Sequence, residues 1–391
     1  MAAINTLVTV TRFTKESQMF LTSYLMGRDI CSSHFRTDLT RGKTIDFPYQ
    51  SDVRVQNYTY STNAIIDGQT ATSSTYSIDQ VKIADANVDP LQNLQGHVEG
   101  DGFQAQMSQR IGYRLAQNID QYVISTGVAN TASTVTGGTL SASNMFGKLT
   151  DAVANLGQQE ARMGEKYVIL DPARIAILAQ VNAFNGFQQA DQALMNGFIG
   201  KTAAGLSVYT SNSLPFTFTY TMGTIPTAND TFSFMGETWT WVASGTATNA
   251  RDISIGANVA AAQANFILAI NGTGTPGATT YIDTSTYKRR QMQGRQATAS
   301  AFSANISTVT YFGKASPSLG TNVGANTFGT ETGSTIVGVK GAIDLTVQAE
   351  PYITVRGEPQ NLSENIFGAT QYGAGVFFLD KNSLVKLTFN A

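Results

Sequence analysis

Between residues 103 and 126 the chain sets Phe103, Met107, Ile111, Leu115, Ile119 and Val123 four positions apart, with Gln104, Arg110, Arg114 and Asp120 elsewhere on the wheel. Apolar residues that return close to every 3.6 positions make one face of an α-helix. At 1.5 Å per residue this one runs roughly 35 Å. Most of what surrounds it reads as strand or as polar extended chain, so the fold class is α+β.

Ahead of the helix, residues 1–40 hold one helix candidate, 15–26, with Thr14 as N-cap and Phe20, Leu21, Tyr24 and Leu25 at helical spacing. That is too little to build a core, and residues 1–40 are expected to be an arm packed on something else. Residues 42–49, Gly-Lys-Thr-Ile-Asp-Phe-Pro-Tyr, read as a short alternating strand. Two extended polar segments follow, 49–60 with Val53, Val55, Tyr58 and Tyr60, and 73–85 with Tyr76, Ile78, Val81 and Ile83. Asp67-Gly68 between them is a turn signal. A lone two-stranded ribbon is marginal in water and cannot cover its own apolar residues. Tyr58, Tyr60, Tyr76 and Ile78 are therefore expected to pack on another subunit.

After the helix, residues 127–143 read as a polar connection rich in Gly and Thr. Residues 151–200 contain no threonine and read as helix, strand, helix: Leu149, Val153 and Leu156, then the buried strand 166–170, then Asp171-Pro172 as N-cap and N1 of a helix carrying Ile175 and Leu178. A further strand, 206–209, ends at Ser211-Asn212-Ser213-Leu214-Pro215.

Beyond Pro215 the texture turns to Thr, Gly and aromatic residues, and it turns back near Ser334. A hairpin is expected over 231–242, with Phe232, Phe234, Trp239 and Trp241 around Gly236, and an Ala-rich helix over 257–270 stopped by Asn271-Gly272. Strands follow through Tyr281, Phe302, Val309 and Phe312. Residues 217–332 thus read as an inserted β-rich domain, with Ile267 and Ile270 joining the four aromatics in a core of its own and linkers at Leu214-Pro215 and Gly333. From Ile336 strands resume through Ile343, Leu345, Val347, Ile353, Val355, Val376, Phe378, Val385, Leu387 and Phe389.

Charge decides what the surface can do. Only 13% of the 391 residues are charged, about half the roughly 25% usual for a soluble protein. The net charge is −2. A nucleic-acid reader shows a basic face or tail, which this balance does not supply. A surface so poor in charge does little to keep chains apart and suits one covered by copies of itself. The one basic run, Lys288, Arg289 and Arg290 with Arg295, reads as a solvated or partner-facing patch, with phosphate contact as the other reading.

Chemical motifs are weak. Gly200-Lys201-Thr202 resembles the end of a phosphate loop, but Met195 stands where the first glycine belongs. Residues 272–277 match a dinucleotide fingerprint in spacing, yet they follow a helix and precede a strand, the reverse of the required context. His34 and His97 have no acid or cysteine at ligand spacing, and no Gly-x-Ser-x-Gly occurs. The carboxylates Asp85, Asp89, Glu99 and Asp101 sit in polar connecting segments. One cysteine, Cys31, excludes an intrachain disulfide, and no basic segment precedes an apolar run at the start. No catalytic residue, metal or cofactor is assigned, and neither a secretion signal nor a membrane span is expected.

The order of elements resembles a known family. The arm, the strand at 42–48, the ribbon, Val88-Asp89 and a long helix holding Ala116-Gln117-Asn118-Ile119-Asp120 resemble the peripheral half of a tailed-bacteriophage major capsid protein of the Hong Kong 97 type. Residues 167–173, Tyr-Val-Ile-Leu-Asp-Pro-Ala, and Gly197-Phe198-Ile199-Gly200 followed by 205–215 resemble its axial half. Residues 341–356 resemble the return to the peripheral domain, so the resemblance covers 1–215 and 334–391.

The resemblance implies a Hong Kong 97-type fold with an N-terminal arm (1–40), a peripheral domain (41–140) holding the E-loop (49–85) and spine helix (103–126), an axial domain (141–216), the inserted domain (217–332) and a return segment (333–391). It implies a shell subunit that forms hexamers and pentamers around double-stranded DNA, in a virion assembled in the host bacterial cytoplasm. A separate scaffolding protein and a portal would be partners. Some relatives join subunits by a Lys–Asn bond; the ribbon has no lysine before Lys82, and none is assigned. The inserted domain would sit on the outer face, making contacts between capsomers through the Lys288 to Arg295 patch, or docking a decoration protein or the host. An encapsulin-like compartment shell is the alternative within the fold. A Thr/Gly-rich adhesin or surface-layer module is the alternative outside it.

Overall fold

A computed structural model describes residues 27–33, 39, 42–50, 53, 55–61, 63, 68, 71–88, 100–180, 198–201, 205–322, 324–357, 364–377 and 379–391. The helix expected at 15–26 and both histidines lie outside these residues.

Along the chain come a helical turn at Gly27–Ile30, then β1 (Thr44–Gln50), β2 (Ala71–Ser77), β3 (Gln80–Val88) and the long helix α1 (Gly100–Ala129). These are followed by β4 (Ser133–Thr139), α2 (Met145–Gln158), β5 (Lys166–Leu170), α3 (Pro172–Ala179), β6 (Phe198–Lys201) and β7 (Leu206–Thr210). The Thr-rich region supplies β8 (Pro215–Met222), β9 (Thr231–Phe234), β10 (Glu237–Val242), β11 (Asp252–Ser254), α4 (Val259–Asn271), α5 (Thr286–Gly294), β12 (Thr298–Ser303), β13 (Ile306–Phe312), β14 (Ser318–Leu319) and β15 (Asn326–Phe328). Last come β16 (Thr332–Val339), β17 (Asp344–Gly357), β18 (Glu364–Gly375) and β19 (Leu384–Asn390). The chain divides into one unit of Met1–Ala116 with Gly341–Lys381 and another of Gln117–Lys340 with Asn382–Ala391.

In the first unit β17, β18 and β3 form an antiparallel sheet. Its inner face buries Ile353, Ile366 and Tyr372, and the helix brings Ile111 and Leu115 onto that face. Gly368 makes the fit possible, since a Cβ there would run into the Ile111 side chain. Ile111 and Leu115, two of the residues whose fourfold spacing predicts the helix, are thus the ones that meet the sheet. The pairing of β17 shifts register between Val347 and Ala349 and again across Glu350-Pro351, the latter as expected where proline removes a ladder N–H from an edge strand. β1 and β2 pair separately, from Thr44 opposite Ser77 to Gln50 opposite Ala71.

The second unit is built on a ten-stranded sheet in the order β12-β13-β8-β16-β5-β7-β6, with β19 attached to β16, β4 to β19 and β15 to β8. Two sequence expectations change here. The connection expected over 127–143 is the end of α1 and then β4, which runs parallel to β19. Only Val135 and Gly137 point inward from β4, too sparse an alternation to read as a strand. The linkers expected at Leu214-Pro215 and Gly333 are also absent: Pro215 opens β8, Gly333 lies in β16, and Gly333 pairs with Phe216. Proline is tolerated as the first residue of a strand, and Phe216, Phe218, Tyr220 and Met222 alternate straight through the composition change. That change reflects the outward threonines 217, 219 and 221, not a break in the core.

The aromatic core of this region is as expected. Phe232, Phe234, Trp239, Trp241 and Ile270 are buried. Phe266 of α4 takes the place given to Ile267, which is half-buried, and its ring lies 4.9 Å from Tyr220. The hairpin β9–β10 turns on Met235 and Gly236, both at positive φ (52° and 77°), the two-residue geometry that matches strand twist.

Candidate assembly surfaces

The β1–β2 pairing ends with Gln50 opposite Ala71, and the described residues between them are 53, 55–61, 63 and 68. All of these are exposed, Val55 at 96%, Tyr60 at 91% and Tyr58 at 64% among them. The Tyr58 and Tyr60 rings meet edge-to-face with centroids 6.2 Å apart. Single exposed apolar residues are ordinary on any surface; several together on one loop mark an interaction site.

Tyr76 and Ile78 are not part of that surface, which corrects the sequence expectation. They are 3% and 1% exposed and belong to an interior cluster with Leu39, Ile45 and Phe377. The Tyr76 ring stacks on Phe377 with centroids 6.1 Å apart. Its hydroxyl donates to the Gly373 carbonyl at 2.7 Å and accepts from the Thr346 N–H at 3.0 Å. Burial pushes the Tyr76 phenol up to about 12, against the opposing effect of the Thr346 hydrogen bond. The physical reason for the correction is the turn after Ser77, where the chain leaves β2 for β3 and the foot of the ribbon roots beside the β17–β18 sheet. Sequence shows the alternation of a ribbon but not the point where it enters a core.

Val81 and Ile83, read as ribbon, stand in β3 and are 63% and 67% exposed. Ile83 pairs with Ala369, which pairs with Tyr352, itself half exposed. This row runs across the sheet face opposite the one that meets the helix.

The basic run disperses. It lies on α5, a helix that sequence reasoning passed over because its charged residues read as a patch. Ser285 caps it, accepting from the Lys288 N–H, and a serine just before 286 was the available signal. Arg289 is 6% exposed and holds Asp283 (Nε–Oδ1 2.8 Å) while donating to the Ile270 and Ala269 carbonyls at 2.8 and 2.7 Å. It caps the C-terminus of α4, where a cation suits the helix dipole, and is no part of a surface patch. Lys288 reaches Glu237 at 3.3 Å, and Arg251 reaches the other oxygen of that carboxylate at 2.7 Å. The Arg251 hydrogen bond, then that of Lys288, holds the Glu237 carboxyl below its ordinary range despite its desolvation. Arg295 donates to the Lys314 carbonyl at 3.2 Å, and Arg290 is exposed.

Lys201 ends β6 opposite Ser207 of β7, and Gly272 is the left-handed cap of α4. Neither stands in a nucleotide-binding context. Among the described residues no group of three or more His, Cys, Asp or Glu is placed to hold a metal, and no helix is long and apolar enough to cross a membrane.

No family model and no curated protein matches the chain. Solved structures do. One from Mycobacterium phage Che8 aligns over 92% of this chain and 89% of its own at a TM-score of 0.52, with 12% identity. The chain shares the fold of that phage structure. A structure from Mycobacterium phage Ogopogo aligns over 93% and 91% of the two chains at a TM-score of 0.48 and 10% identity, and the capsid of cyanophage P-SCSP1u over 90% and 85% at 0.46 and 12%. At 12% identity a shared fold is carried by the arrangement of elements. Which surfaces meet between copies rests on this chain's own residues.

Proposed function

We propose that the chain is the structural subunit of a tailed-phage head, assembling into hexamers and pentamers that enclose double-stranded DNA without reading its sequence. The observation that carries this is the capsid fold joined to a ribbon loop whose Val53, Val55, Tyr58 and Tyr60 are exposed in the single chain. In this reading the β1–β2 ribbon is the E-loop, α1 is the spine helix, the first unit is the peripheral domain and the second the axial domain, extended by 217–332. The N-terminal arm and the E-loop reach to neighbouring subunits.

Cohesion comes from apolar area spread over several interfaces, at roughly 25 cal/mol per Å², rather than from one strong contact. With 13% charged residues the long-range repulsion between copies is small. The DNA is held by enclosure, and no base contact is required. A separate scaffolding protein directs closure and a portal occupies one vertex. The inserted region adds contacts between capsomers through the exposed Arg290 and the partly exposed Lys288 and Arg295, with Arg289 serving its own fold. Co-expression with a scaffolding protein should yield particles that sediment as closed shells. A chain that stays monomeric under all assembly conditions would overturn the reading.

A further inference from the structure

The outermost strand at one end of the ten-stranded sheet is β12, whose sequence Thr-Ala-Ser-Ala-Phe-Ser carries neither charge nor proline. It pairs with β13 along one side. In an antiparallel pair alternate residues turn their N–H and C=O outward, and an edge without lysine, proline or cover is a template for a strand from another chain. Phe302, 76% exposed, adds an apolar side chain to the same strand. Uncharged stretches of this kind are pairing hazards.

Helix α4 packs against this strand and closes its edge with two carboxamides. The Asn271 Nδ2 donates to the Ala299 carbonyl at 3.0 Å, and the Ala299 N–H donates to Asn271 Oδ1 at 2.6 Å. Asn271 therefore offers Ala299 the same donor and acceptor that a residue of a neighbouring strand would offer. Eight residues earlier on the helix, Gln263 Nε2 donates to the Ser303 carbonyl at 2.9 Å and to the Ile306 carbonyl at 2.8 Å, closing the turn end of β12 and β13. The two side chains stand in for the cover that composition does not provide.

We propose that Gln263 and Asn271 form an edge latch: they occupy outward backbone groups at both ends of β12, those of Ala299 and the Ser303 carbonyl, in place of a strand from a second copy, and so keep the 217–332 regions of adjoining copies from fusing by β-pairing. The latch acts within one chain. Its test uses the unassembled subunit, so its failure is separate from failure of the shell reading.

The experiment compares the full chain with Gln263→Ala/Asn271→Ala, and with the same pair plus Ser300→Lys, which adds a charge on an exposed side chain of β12. Light scattering and backbone hydrogen exchange over residues 298–303 are followed against concentration. In dilute unmodified chain the Ala299 amide should be protected, and loss of Asn271 should speed its exchange about five- to tenfold, the worth of one intramolecular hydrogen bond. On concentration the double variant should associate and regain that protection, and Ser300→Lys should abolish the association. Association that Ser300→Lys leaves intact, or no association of a folded double variant, would overturn the proposal. If the double variant does not fold, the unmodified chain still decides: an Ala299 amide exchanging as fast as an open edge amide would show that no latch exists.

Discussion

Replacing Tyr58 and Tyr60 together by Ser separates assembly from folding. In the single chain these rings are 64% and 91% exposed, so the substitution removes almost nothing from the folded subunit, and its stability should shift by no more than about 0.5 kcal/mol. In a shell the same rings would be covered. Taking roughly 200 Å² for each tyrosine, the area open to a neighbour is roughly 300 Å², or at most about 8 kcal/mol per subunit at 25 cal/mol per Å². Losses of motional freedom and imperfect polar pairing bring the expected effect down to about 2–4 kcal/mol. The contrast is Tyr76→Ser, which removes a ring 3% exposed and leaves the Thr346 N–H without its acceptor. That change should cost about 3–5 kcal/mol in the subunit itself and lower its melting temperature by roughly 10 °C. The assays are thermal melting of the unassembled subunit by circular dichroism and the threshold concentration for particle formation by sedimentation. The reasoning fails if the Tyr58/Tyr60 variant melts as low as Tyr76→Ser, or if it assembles at the unmodified threshold.

Four further outcomes follow from the same geometry. Tyr76→Phe should flatten the alkaline loss of stability: a phenol raised to about 12 favours the protonated fold, so its contribution is complete below the unfolded value near 10 and is lost as pH rises toward 12. This is read from melting temperature between pH 9 and 12. Glu237→Gln should remove an acid-dependent component, because a carboxyl held below its ordinary range stabilises the fold above the unfolded value and loses that effect as pH falls through the lower one; melting from pH 6 downward checks it. Arg289→Ala should destabilise by about 2–4 kcal/mol by leaving two helix carbonyls without their donor and Asp283, which keeps the Thr284 N–H, without its cation, whereas Arg290→Ala should stay within about 0.5 kcal/mol in chemical denaturation. Deleting 217–332 should abolish the cooperative transition of the second unit, since β8 and β13 share its sheet with β16; a deletion chain that still melts cooperatively would show that the inserted region stands apart.

What could be read in advance follows from periodicity. The long helix, the strand at 166–170, the Asp171-Pro172 start of α3 and the hairpin around Gly236 each carry a local signal that tertiary structure did not need to alter. Burial is a different quantity. Tyr58 and Tyr76 look alike in sequence, two aromatics in polar extended segments, and only the turn at Ser77 into β3 puts one in the core and leaves the other in solvent. The basic run failed for a related reason: Arg289 and Arg290 are neighbours on a helix and so face different directions, one toward the end of α4 and one toward water. The domain boundary at 217 failed because a β-strand shows two faces, and the threonine face changed composition while the aromatic face continued the sheet.

A cryo-electron microscopic reconstruction of particles made by co-expressing the chain with its scaffolding partner tests the central claim most directly. The account predicts closed icosahedral shells of hexamers and pentamers, in which the loop between β1 and β2 lies on an adjacent subunit with Tyr58 and Tyr60 covered. Open or absent shells, or closed shells in which both tyrosines remain in solvent, would contradict it.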